Sequence, residues 1–203
     1  MKLGARLPLV LASQSAARRT LLAAAGINVK IVPARIDEGE IKNVFRSQRQ
    51  PVDHCARGLA AAKATHVSAF HPTAWVIGAD QILECGGEWL DKATDLDDAR
   101  RQLRLLRGRA HELVTAVAVA GNGVFAWHHV ERARLTMRAF SDAFLDDYIA
   151  AQGKRLLATV GGYALEGLGA QLFERIEGDY FAILGLPLLP LLGFLREQGA
   201  VAR

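Results

Sequence analysis

Apolar and polar residues follow one another along the chain in blocks whose lengths and periods predict alternating strands and helices. Residues 7–12 form a short apolar run of buried-strand type, and Ser13, Gln14 and Ser15 break it with small polar side chains of the kind that cap helices. A helix over 16–25 follows, rich in Ala and Leu, with Leu21 and Leu22 inward and Gly26 placed to close it in the left-handed conformation. Residues 29–32 predict a second strand. Residues 51–70 predict a long Ala-rich helix with Pro51 in its first turn and Pro72 as its break. The run 74–79 is the next buried strand. Residues 82–90, centred on Gly86 and Gly87, predict a hairpin, and 96–106 an amphipathic helix ended by Gly108.

Two longer strands, 111–120 and 124–140, flank Gly121-Asn122-Gly123, a turn of hairpin chemistry. Ser141 is placed to cap a helix running through 151. The chain is then Gly-rich from 158 to 169 and predicts a last helix over 187–198. Helices alternating with strands and at least one hairpin favour an α/β fold with a mixed sheet over a pure doubly wound one. No repeat or linker interrupts residues 1–203, which predicts one domain, compact or elongated with two lobes.

Composition narrows the partners. With 51% hydrophobic and 23% charged residues, the 203-residue chain has material for a sizeable core. Its 25 Lys and Arg exceed its 21 Asp and Glu only slightly, which suits an anionic ligand but not a nucleic-acid coat. Cys55 and Cys85 form no CxxC pair and predict reduced, buried thiols. The first ten residues lack a leader pattern and no apolar run reaches membrane-spanning length, so the expectation is a soluble protein that is not exported.

The junction between the first strand and helix carries the first candidate chemistry. A helix N-terminus presents unpaired amides and partial positive charge, which suit phosphate, and Arg18 and Arg19 add full charges that oppose the helix dipole. The alternative is two arginines extending into solvent. Asp80, after the strand 74–79, is placed at a strand's carboxyl edge, where it could be a metal ligand or a base. Asp37 and Glu38 could join it around a hard cation, or serve as a cap and a solvated loop residue. Lys63 is the only charge in Ala60-Ala61-Ala62-Lys63-Ala64, so neighbours can pack close while its ammonium reaches out, or it snorkels from an ordinary helix. Lys92 is open between a phosphate contact and a surface lysine. His111-Glu112 lacks the second His of a zinc protease, Thr115 standing in its place, and neither GxxxxGK[ST] nor GxGxxG occurs. The arginines between 100 and 109 follow Asp95, Asp97 and Asp98 on one predicted helix, a solvated dipole-matched surface in preference to an RNA site.

Taken together, residues 11–22 (LASQSAARRTLL), Asp37-Glu38, Ala62-Lys63-Ala64, Gly78-Ala79-Asp80-Gln81, Asp91-Lys92, Glu166-Gly167-Leu168-Gly169, residues 174–179 (ERIEGD) and Gly185-Leu186-Pro187-Leu188 resemble the Maf family of nucleotide pyrophosphatases, historically called septum-formation inhibitors. The resemblance runs nearly end to end. It implies a strongly twisted mixed sheet, Mg²⁺- or Mn²⁺-dependent cleavage between the α and β phosphates of a nucleoside triphosphate, a cytoplasmic location and a homodimer. By position, Ser13, Arg18, Lys63 and Lys92 would hold the triphosphate, with Arg19 secondary. Glu38 and Asp80 would bind the metal, and Asp80 would accept a proton from water. Ala16 and Ala93 stand where the family often has Pro.

The resemblance also points to Ala17, Gln81 and Glu166 as positions that set base preference. The branch preferring dTTP and UTP tends to carry Arg, Thr and Gln there, and the 7-methyl-GTP branch Trp, Gln and Glu, so two of three match the second. A carboxylate at Glu166 could accept two hydrogen bonds from a guanine edge and favour a cationic N7-methylated ring. Ala17 lacks the aromatic ring, a stacking contact worth roughly 1–3 kcal/mol. The expectation is a house-cleaning pyrophosphatase for a modified purine nucleotide, against two alternatives: a dTTP/UTP pyrophosphatase, and a non-catalytic nucleotide-binding regulator of cell division.

Overall fold

The computed structural model describes residues 7–202. Seven strands form one mixed sheet: β1 (Leu9–Leu11), β2 (Lys30–Ile31), β3 (Trp75–Cys85), β4 (Glu88–Leu90), β5 (Ala110–Gly121), β6 (Val124–Met137) and β7 (Phe173–Glu177). Their order is β2-β1-β3-β5-β6-β7, with β4 hairpinned onto β3. β1 lies parallel to both β2 and β3, whereas β7 is antiparallel to β6. The helices flanking this sheet are α1 (Ala16–Ala24), α2 (Glu38–Ser47), α3 (Val52–Ser68), α4 (Leu96–Leu106), α5 (Asp142–Gln152), α6 (Tyr180–Ile183) and α7 (Leu188–Glu197). The α/β class and the mixed sheet expected from the sequence are both present.

The chain divides into two compact units. One comprises the chain up to Asp80, Thr115–Glu131 and the chain from Asp179; the other comprises Gln81–Val114 and Arg132–Gly178. In the first unit, Leu9, Leu11, Leu22, Ile77, Val117, Leu191 and Leu195 form the centre of the core. Ser15 caps α1 by accepting the Arg18 amide, and the helix ends as predicted, with Gly26 at φ 74°. Ile27 N donates to Leu22 O and Gly26 N to Ala23 O, the paired bonds that satisfy a helix's last carbonyls. The β5–β6 turn has both Asn122 and Gly123 at positive φ, the twist a two-residue hairpin needs.

Besides β7 and the four-residue α6, which the sequence reading leaves unassigned, two features depart from it. Residues 38–47 form a helix that was not predicted. Its signals are Asp37, whose side chain caps the Glu40 amide, the apolar positions Ile41, Val44 and Phe45, and Arg46 in the last turn. Asp37 is therefore a helix cap. Secondly, β3 does not stop at residue 79 but continues through Asp80 to Cys85, because the first arm of the expected hairpin simply extends it. Asp80 is thus inside a strand. It still lies beyond the carboxyl end of its parallel neighbour, since β1 pairs with β3 only from Trp75 to Ile77.

The approach of β3 to α3 depends on small residues. A Cβ on Gly78 would stand 2.2 Å from Ala60 O and 2.7 Å from Ala64 N, so the strand lies directly against the helix backbone. Ala60 and Ala64 are fully buried there. This is the close packing that the Ala-rich stretch around Lys63 predicted.

In the second unit α4 is capped by Asp95 and α5 by Ser141. Arg104 and Arg107 pair with Asp142, Arg100 with Asp146 and Arg101 with Asp98, so the basic run of α4 is used on α4 and α5 themselves. Cys55 and Cys85, one in each unit, are buried and not joined in a disulfide.

His111 is 2% exposed, its Nε2 is 2.7 Å from the Tyr163 hydroxyl, and its Nδ1 has no partner. Burial lowers its pKa to about 4 from an ordinary value of 6.5. The unfolded chain then binds a proton that the folded one refuses. The stability this group contributes is complete above pH 6.5 and declines as pH falls towards 4, by on the order of 3 kcal/mol. Urea unfolding of wild type and His111→Asn between pH 7 and pH 4 should show a steeper loss in the wild type, and parallel curves would contradict this account.

Candidate active site

Five of the residues singled out by sequence come together in the first unit. Ser13 follows β1 and is 8% exposed, and its hydroxyl oxygen accepts from Ser15 N at 3.2 Å and from Arg18 Nη1 at 3.1 Å. Arg18 reaches back from the first turn of α1. Its Nη1 also donates to Ala79 O at 2.9 Å and its Nε to Gly185 O at 2.7 Å. The guanidinium thereby joins three segments: the start of α1, the middle of β3 and the turn after α6. Gly185 can turn there because it has φ 100°. Burial lowers the pKa of Arg18, while Asp80 and then Glu38 act to raise it. A guanidinium stays charged under such opposing effects, so the site holds a partly desolvated cation. No acidic residue stands in the first turn of α1 to offset it.

The second element is an ion triad. Lys63 Nζ, on α3, lies 2.7 Å from Asp80 Oδ1 and 2.8 Å from Glu38 Oε2. Lys63 and Asp80 are buried, whereas the Glu38 side chain is 45% exposed. Asp80 Oδ2 is buried and makes no hydrogen bond. A buried carboxylate oxygen without a partner is costly, and a native protein keeps one where a ligand or water completes it. The family resemblance assigns Lys63 to phosphate. In this structure its ammonium holds the two carboxylates.

The remaining candidates are placed as follows. Arg19 is exposed on α1, and Ala17 is half-buried beside it. Gln81 continues β3 at the start of the second unit and is half-buried. Lys92 is an exposed residue of the second unit whose main chain bridges to Val160. Glu166 is exposed in the turn before a short 3-10 helix, Leu168–Leu172. Ala16 opens α1 and Ala93 is buried. Two contributors escaped the sequence reading: the carbonyls of Ala79 and Gly185 that seat Arg18, for which the one legible signal was the glycine itself.

Among the described residues no group of three or more His, Cys, Asp or Glu side chains could hold a metal ion, and no helix is long and apolar enough to cross a membrane. A carboxylate pair with one open oxygen, a buried ammonium and a desolvated guanidinium is a charge arrangement suited to an anionic ligand and to proton transfer at Asp80.

The Maf family, described as Maf-like protein, matches residues 8–198. A nucleoside triphosphate pyrophosphatase of Granulibacter bethesdensis is 52% identical over 193 residues, which cover 95% of this chain and 98% of that protein. One of Rhodospirillum rubrum is 47% identical over 194 residues, covering 96% of each chain. A 7-methyl-GTP pyrophosphatase of Rhizobium johnstonii is 47% identical over 193 residues, covering 95% of this chain and 97% of that one. The matched range includes Glu38, Lys63 and Asp80 of the ion triad, the Ser13–Arg18 turn and every strand of the sheet: this chain belongs to the Maf family.

Proposed function

We propose that this protein is an enzyme, a hydrolase of acid anhydrides that cleaves a nucleoside triphosphate between its α and β phosphates, releasing the monophosphate and pyrophosphate. The observation that carries the reading is Asp80: a buried carboxylate with one oxygen fastened to Lys63 and the other open. Two of the relatives' names supply the reaction, nucleoside triphosphate pyrophosphatase and 7-methyl-GTP pyrophosphatase. The match over 8–198 supports one catalytic domain spanning the chain. The resemblance further supports a cytoplasmic homodimer.

Asp80 Oδ2 takes the proton of the attacking water. The water oxygen bonds to the α phosphorus, the bond from that phosphorus to the α–β bridging oxygen breaks, and the electron pair leaves with pyrophosphate. The proton passes to Asp80. Ser13, Arg18 and Lys63, with Lys92, bind the phosphates, and Arg19 adds positive charge at the surface of the site. Charge grows on the leaving group, so fixed cations placed beforehand lower the barrier without reorganising during the reaction.

A divalent cation, Mg²⁺ or Mn²⁺, fits the residues present. Glu38 and Asp80 already converge on one cationic centre, and Asp80 has an unused oxygen. Mg²⁺ takes one or two protein carboxylates and completes its shell with water and phosphate oxygens, which agrees with a site of two carboxylates. When bound, the ion would neutralise phosphate charge.

For the base, the proposal is a purine modified towards 7-methylguanine. Glu166 is exposed and has no bonded partner among the described residues, so its carboxylate is free to read a base edge. Gln81 is of the matching type, and Ala17 has no ring to stack on a base. Purified protein with Mg²⁺ or Mn²⁺ should convert 7-methyl-GTP to its monophosphate and pyrophosphate faster than dTTP or UTP. Clear preference for dTTP and UTP would overturn the purine assignment. No pyrophosphate from any nucleotide, with binding intact, would point to a non-catalytic regulator.

A further inference from the structure

The ion triad implies an order of events that the proposed reaction does not by itself require. Lys63 Nζ stands within 2.7 Å and 2.8 Å of the two carboxylates, where it satisfies Asp80 Oδ1 and Glu38 Oε2 together. It is held there. Lys63 is buried on α3, whose small residues Ala60 and Ala64 lie against β3 at Gly78 and so set the reach of the ammonium to Asp80. A divalent ion bridging the same two oxygens would meet this ammonium at close range in a poorly solvated site, where repulsion between cations is strong.

We propose that Lys63 is the resident counterion of Asp80 and Glu38 and excludes divalent cations from the nucleotide-free protein. Glu38 and Asp80 would then hold a divalent cation only once a triphosphate is bound. Phosphate oxygens would offer the Lys63 ammonium a new anionic partner, which would free the Asp80 and Glu38 carboxylates to hold the ion. In the triad itself, Asp80 Oδ2 has no hydrogen-bond partner. The inference rests on the proposed metal-assisted reading for its setting, and on the triad for its content.

The test is Mn²⁺ binding to nucleotide-free protein, followed by electron paramagnetic resonance of the free ion. Wild type should bind Mn²⁺ alone weakly. Lys63→Met should bind it at least about tenfold tighter, since removing the ammonium leaves two carboxylates that lack their counterion. Its melting temperature should rise with added Mn²⁺ more than that of wild type. If Lys63→Met does not fold, Lys63→Gln keeps a hydrogen bond to Asp80 without the charge and carries the same expectation. Unchanged or weaker Mn²⁺ binding in the folded variant overturns the inference. Turnover of nucleotides by wild type is measured separately: a wild type that releases no pyrophosphate counts against the enzymatic reading, whereas equal Mn²⁺ affinities count against the counterion role alone.

Discussion

Asp80→Asn should lower pyrophosphate release by about 10²–10⁴-fold, the range general-base catalysis contributes. The substitution is nearly isosteric. The amide oxygen can still accept from Lys63 Nζ, which now lies 2.7 Å from Oδ1, and Glu38 remains as the anionic partner 2.8 Å away. The variant should therefore fold, with a lowered melting temperature because a buried ammonium loses one of its two carboxylates. What disappears is a basic oxygen at the position of Oδ2, the one buried side-chain atom of the triad without a partner. Nucleotide binding measured by calorimetry should survive while kcat collapses. A folded variant with near wild-type kcat would remove Asp80 as the proton acceptor.

Gly78→Ala has the second largest expected effect, although residue 78 touches no ligand. Its Cβ would lie 2.2 Å from Ala60 O, a backbone atom that cannot swing aside. Either β3 or α3 must move. Overpacking of this kind costs about 1–3 kcal/mol, and more where backbone opposes backbone. For a domain of this size each kcal/mol lowers the melting temperature by roughly 2–4 °C. The same displacement separates Lys63 on α3 from Asp80 two residues along β3. Activity at temperatures where the variant is fully folded should thus fall as well, and a misplacement of about 1 Å can cost on the order of 10²-fold. A variant with wild-type melting and wild-type kcat would show that the strand and helix can part without cost.

How much was legible beforehand differs from element to element, for physical reasons. Helices with strong end signals were read almost to the residue. Asp95 and Gly108 bracket α4, and Ser141 opens α5, because a cap's side chain bonds to amides only three residues away and leaves its mark locally. The Asn122-Gly123 turn is equally local. The helix α2 is not predicted although its Asp37 cap is also local, because the segment buries no residue and its apolar positions Ile41, Val44 and Phe45 make only a thin stripe. The length of β3 was misjudged for another reason. A strand continues or stops according to what pairs with it, and β1 and β4 pair with different stretches of β3. Neither partner is visible in the sequence of β3.

The sequence by itself determined the α/β class, the family and the set of charged residues on which any reaction here must draw, because periodicity, caps and motif blocks are properties of neighbouring residues. Only the tertiary structure decided how those charges are spent. It joined Arg18 to the carbonyls of Ala79 and Gly185, 61 and 167 positions away, and so made it a clamp on the site as well as a cation. It placed the Lys63 ammonium between the carboxylates of Asp80 and Glu38. Ionic partners are chosen by distance and desolvation, and both are set by the packing of β3 on α3, which brings together residues that the chain itself holds far apart.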